Sequence, residues 1–128
     1  MALSTLEVGK KLVELCKQTK YLEAIDTLYA PNVVSLEAAA MPGMPQRIEG
    51  IAAVRAKSEK FVKEHTIHGT VVNGPWPHGD RFIVYMQIDT TPTAGPFAGK
   101  RMQHDEACLY TVKDGKIVQD EFFYAMPG

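Results

Sequence analysis

The sequence predicts an α+β domain: helices packed on one face of a strongly curved, mostly antiparallel sheet. Three observations lead there. Apolar residues recur at helical spacing in three segments of the first half. After Glu64 the period changes to two, and Asp114-Gly115 then joins two alternating runs, as a tight hairpin requires. Three helical segments followed by a meander of long strands must bury their apolar stripes against one side of the sheet. Helices cannot fill the whole concave side of a bent, open-ended sheet, so a cone with an internal pocket is expected.

Ser4-Thr5-Leu6-Glu7 has the form of a capping box, with Val8, Leu12, Leu15 and Cys16 on one apolar face behind it. A second helix reads from Tyr21, with Ile25, Leu28 and Tyr29 on its buried side. Pro31 stops it, because proline lacks an N–H and biases Ala30 out of the helical region. Val33–Leu36 is a short β-branched strand. Ala38–Arg47 holds two prolines and a glycine and reads as a loop overhanging the pocket. Gly50 opens a third helix, where Ile51, Val54, Ser58, Phe61 and Val62 share a face; Arg55, Lys57, Glu59, Lys60 and Lys63 read as its solvated side. His65–Asn73 is a strand, Gly74–Asp80 a turn-rich link, Arg81–Thr90 a long strand and Thr91–Gly99 a loop. Lys100–Lys113 and Lys116–Tyr124 complete the sheet.

The 128 residues fit one domain spanning 1–128, and 45% apolar with 23% charged residues suffices for a core. Net charge is −1 and the 14 basic residues are scattered, so no nucleic-acid partner is expected. No apolar run approaches the ~20 residues of a membrane span. The N-terminal MALSTLEVGKKL lacks the pattern of a secretory signal. Cys16 and Cys108 sit among apolar residues and read as reduced thiols, which suits a cytoplasmic location. No metal or cofactor is expected. His65 and His68, three apart in a strand, face opposite sides, and His104-Asp105-Glu106 lacks the Pro-Cys-x-x-Cys of a zinc deaminase. Phosphate-loop, nucleophile-elbow and dinucleotide fingerprints are missing too.

Several strings converge on a family. Tyr29-Ala30-Pro31-Asn32-Val33-Val34 leads into the first strand, and Ile48-Glu49-Gly50-Ile51-Ala52-Ala53-Val54-Arg55 opens the third helix. His78-Gly79-Asp80-Arg81-Phe82 starts a long strand, and Tyr110–Val118 forms the last hairpin. In this order the chain resembles SnoaL-like members of the nuclear-transport-factor-2-like superfamily, the cystatin-like cone. That superfamily hosts isomerases, cyclases, hydrolases, dehydratases and non-catalytic binders, so function must come from the pocket residues.

Laid on the ketosteroid isomerase pattern, Glu37 falls where that family keeps its proton-shuttling carboxylate, while the two oxyanion donors fall on Val13 and Cys108. Valine donates nothing and a thiol little, which argues against a steroid isomerase. The alternative for Glu37 is a solvent-facing carboxylate at a strand end. His104 and Glu106, two apart in a strand, point the same way and stand about 6.8 Å apart along it, an arrangement suited to a base and its supporting acid. Strand parity alone leaves their face open; the resemblance turns it inward with Cys108. It likewise turns Asp120, Phe122 and Tyr124 inward, with Tyr124 as a hydrogen-bond donor and Asp120 holding a water. Taken singly, a paired aspartate and a core tyrosine are the simpler readings. Catalytic groups are thus expected from Glu37, His104, Glu106, Asp120 and Tyr124, and ligand walls from Val84, Met86, Ile88, Cys108 and Phe122.

Two functions fit: a cofactor-independent enzyme moving protons on a small, largely apolar carbonyl compound, or a non-catalytic binding domain. A homodimer through the outer sheet face (Ile83, Tyr85, Gln87, Ala107, Leu109) is expected in either case.

Overall fold

The computed structural model describes residues 2–41 and 43–125. Helix α1, Thr5–Lys17, begins with a complete capping box. The Ser4 hydroxyl accepts from the Glu7 N–H at 3.1 Å, and the Glu7 carboxylate accepts from the Ser4 N–H at 2.9 Å. Helix α2 is Tyr21–Leu28. The backbone turns extended at Tyr29, so Tyr29 and Ala30 open strand β1, Tyr29–Leu36, rather than ending the helix. Pro31 is tolerated there because the pairing of β1 with its neighbour is irregular between Tyr29 and Val34.

Where the expected loop Ala38–Arg47 ends, a short strand that hydrophobic patterning missed begins: β2, Arg47–Glu49, pairs antiparallel with the end of β1. Pro42 of that loop lies outside the described residues. Helix α3, Ile51–Glu64, starts at Gly50, whose φ of 89° is a glycine conformation. Two assignments on α3 are corrected. Val62 is exposed, whereas Lys57 points inward.

Strands β3 (His65–His78), β4 (Arg81–Pro92), β5 (Met102–Lys113) and β6 (Lys116–Phe123) follow. The supposed link Gly74–Asp80 is mostly strand. A bulge between Asn73 and Trp76 absorbs the Gly-Pro irregularity, pairing resumes at Trp76–Ile83, and only Gly79 and Asp80 turn. Being at the sheet edge, β3 can carry Pro75 and Pro77. The strand order is β2-β1-β6-β5-β4-β3, with β1 parallel to β6 and every other pair antiparallel. Asp114 and Gly115 both have positive φ (51° and 77°) and close the β5–β6 hairpin.

The three helices lie on the concave face. Val8, Leu12, Val33, Phe82, Val84 and Ile117 form the centre of one core there. Phe82 and Tyr110 stack at 4.9 Å within it. Among the described residues no helix is long and apolar enough to cross a membrane.

Candidate functional site

Helix α3 crosses the concave side. Near its middle Lys57 reaches β1, and a turn later Phe61 approaches β5. The Lys57 ammonium donates to Glu37 Oε1 at 2.8 Å and to Ser35 Oγ at 2.6 Å, and lies 5.0 Å from the centre of the Phe122 ring. The Lys57 and Glu37 side chains are only 13% and 15% exposed, so this ion pair is shielded from water. Tyr124 donates to the other Glu37 oxygen at 3.0 Å. Both oxygens of Glu37 are therefore engaged, which makes it a poor free base. The Tyr124 phenol is pushed up to about 12, by burial first and then by the Glu37 charge it faces.

Asp120 lies one layer deeper and is fully buried. Tyr29 donates to its Oδ2 at 2.6 Å, across the whole length of the chain fold. Ser35 stands opposite it in the β1–β6 register and favours its charged form, yet Oδ1 completes no hydrogen bond. Burial raises the carboxyl above its ordinary range, while Ser35, Tyr29 and Lys57 oppose the shift. A paired aspartate is what the geometry presents.

Glu106 projects from β5 between these groups and His104. Burial, followed by the charge of Glu37, pushes its carboxyl up to about 7, with Lys57 opposing. It is surrounded by protein but keeps partly accessible surface. Lys57 gives its protons to Ser35 and Glu37, so Glu106 feels that cation only at a distance.

His104 shares the concave face with Glu106 but turns toward α3. Its ring lies 6.3 Å from Phe61 and 6.1 Å from His65, both edge-on. Desolvation, then the neighbouring His65, lowers its pKa, so the neutral imidazole prevails. Its Nε2 is buried without a partner. His104 and Glu106 thus share a wall without bonding as an acid–base pair.

Of the five residues expected as ligand walls, Val84, Met86, Ile88 and Cys108 belong to the closed core. The Cys108 thiol is pushed far up by burial and is inert. Phe122 alone of the five borders open space, in a groove of about 540 Å³ lined also by Leu36, Glu37, Gln46 and Tyr124. Val13 and Cys108 are buried and offer no strong donor at the isomerase oxyanion positions. His65 bonds the Phe61 carbonyl and His68 bonds Thr91, so each is engaged separately. Among the described residues no cluster of three histidine, cysteine or carboxylate side chains could hold a metal.

Residues 3–124 match the profile of the SnoaL-like domain. The chain belongs to the SnoaL-like family. A solved structure from Mesorhizobium loti, assigned as a SnoaL-like polyketide cyclase, is 36% identical, with a TM-score of 0.86 over 95% of this chain and 100% of that one. A structure from Pseudomonas putida, also assigned as a polyketide cyclase, is 16% identical (TM-score 0.74; 94% of that chain covered, 98% of this one). An LEH-like epoxide hydrolase from M. tuberculosis is 12% identical (TM-score 0.69; 94% of this chain and 78% of that one). The last two show the shared cone alone. No curated protein matches the sequence.

In this SnoaL-like domain the residue that sequence reasoning missed is Lys57. Its signal was spacing: it stands three after the buried Val54 and four before Phe61, on the inward stripe of α3. Charge was weighed above position. Thr90, fully buried on the concave face of β4, was missed as well.

Proposed function

We propose that this SnoaL-like domain is a cofactor-independent enzyme that moves a proton at the carbon beside a carbonyl group in a small, largely apolar molecule. The observation that supports it is Glu106, a partly accessible carboxyl poised near neutrality that accepts no hydrogen bond from Lys57. A general base works best when its pKa lies near the working pH. Glu106 as carboxylate takes the α-proton, and the C–H electron pair moves into the enolate. The resulting acid returns that proton at another carbon or at oxygen. Lys57, which keeps one ammonium N–H beyond those given to Ser35 and Glu37, stabilises the negative oxygen, a role the apolar Val13 and the buried Cys108 thiol are ill-suited to fill. Asp120 with Tyr29 holds the floor, and Phe122 supplies an apolar wall. Polyketide cyclisation, the activity assigned to the M. loti relative, is chemistry of this class.

A binding domain would pair all its polar groups; the Lys57–Glu37–Tyr124 half is paired, but the buried His104 Nε2 is not. The test is hydrogen–deuterium exchange at the α-carbon of aryl methyl ketones in deuterium oxide, followed by NMR. Catalysed exchange is expected, falling at least about a hundredfold in Glu106→Gln. Exchange equal in that variant, or no catalysed exchange of ketones that bind, overturns the proposal.

A further inference from the structure

Three buried polar atoms among the described residues lack partners: Asp120 Oδ1, beside Tyr29 and Ser35, and, apart from it, His104 Nε2 and Thr90 Oγ1. In the β4–β5 register His104 stands opposite Ile88 and Thr90 opposite Met102, so the two are diagonal neighbours on one face. The two do not bond each other, and the backbone positions of diagonal neighbours lie about 7–8 Å apart, within reach of side chains that address one oxygen between them. Thr90 has no exposed surface, so bulk water does not serve its hydroxyl, and the donor stays desolvated without a partner. The Phe61 and His65 rings flank His104 and are stacked on each other at 4.2 Å, forming an aromatic cover on the helix side.

We propose that Thr90 and His104 form a second polar subsite that binds a hydroxyl group of the substrate. A neutral imidazole nitrogen and a threonine hydroxyl between them offer one donor and one acceptor in either tautomer. A hydroxyl both gives and takes, so it satisfies the pair whichever way the protons lie. A carbonyl only accepts, and one tautomer of His104 would leave it unmet. His104 and Glu106 are two residues apart on β5, which spaces their anchor points about 7 Å along the strand. The substrate class is therefore a hydroxylated carbonyl compound, its hydroxyl and its reacting end separated by about that span, as across a six-membered aromatic ring. This second anchor rests on the Glu106 reading; the hydroxyl subsite itself does not.

The probes are acetophenone and its para- and ortho-hydroxy derivatives, with affinity measured by calorimetry or ligand-observed NMR. In the wild type the para isomer is expected to bind about tenfold more tightly than acetophenone, with no such gain for the ortho isomer. Thr90→Val and His104→Phe remove that preference; Thr90→Ser retains it. Equal affinity for all three probes in the wild type means that the pair holds only a structural water, and overturns the proposal without needing a variant. A para preference that persists in both variants overturns it as well. The α-exchange assay on the same ketones reads Glu106 separately. A hydroxyl preference without exchange upholds the subsite and removes the proposed chemistry. Exchange without preference does the reverse.

Discussion

Lys57 and Glu37 are held in low dielectric by each other, so removing one strands the other. Lys57→Met should destabilise the fold by roughly 3 kcal/mol, the usual scale for breaking a shielded ion pair. Adding Glu37→Gln should restore much of that, because no charge is then left without its counterion; urea unfolding of the single and double variants checks this. Glu106 behaves in the opposite sense. Its carboxyl titrates near 7 in the folded chain against an ordinary 4.5, so folding favours the protonated form. That contribution is complete below about pH 4.5 and is lost as pH rises through 7. Against Glu106→Gln, which carries no such charge, the wild type should lose up to about 3 kcal/mol over that window. Melting temperatures that track each other from pH 4 to 8 would contradict it. Any activity resting on the Glu106 carboxylate should instead rise over the same interval.

At the scale of elements, α1 meets the sheet edge through Gly9. A Cβ there would stand 2.8 Å from Pro75 Cβ and 2.9 Å from its Cγ, and a proline ring in a paired strand cannot swing aside. Alanine improves helix propensity by about 1 kcal/mol, but overpacking costs about 1–3 kcal/mol. The second effect wins, so Gly9→Ala should be destabilising by about 1 kcal/mol despite the better helix former. The capping box is a cleaner case: Ser4→Ala removes one hydroxyl acceptor from the first turn and should cost about 1 kcal/mol. Thermal melts of the two variants separate packing from capping. β2 and the continuation of β3 escaped sequence reading for a shared reason. Both are edge strands whose prolines, glycines and polar residues are tolerated because one side of their backbone needs no partner.

Across the whole molecule, the convex face carries an apolar row. Trp76, Ile83 and Leu109 lie side by side in register, with Tyr85, Ala107 and Phe123 in the next row. Trp76, Ile83 and Phe123 are each about half exposed. We propose that a second copy of the chain covers this face, as an isologous contact would let each row meet its own image. Light scattering should give twice the chain mass, and Ile83→Lys should shift it to the monomer. A wild-type monomer at micromolar concentration would remove this proposal.

The order of helices and strands was written in periodicity, capping and turn chemistry, because each depends on residues a few positions apart. Ser4–Glu7, the change of period after Glu64 and Asp114-Gly115 each report a local backbone preference that tertiary packing then used. Resemblance placed Glu37, Glu106, Asp120 and Tyr124 near one another but left their roles open. Tertiary structure alone decided that Lys57 joins Glu37 and not Glu106, that Tyr29 takes Asp120, and that Val84, Met86 and Ile88 fill the core. Those outcomes depend on contacts between residues 20 to 91 apart in the chain, and on how much of each charge the surrounding protein screens from water. Neither is a property of any local stretch of sequence.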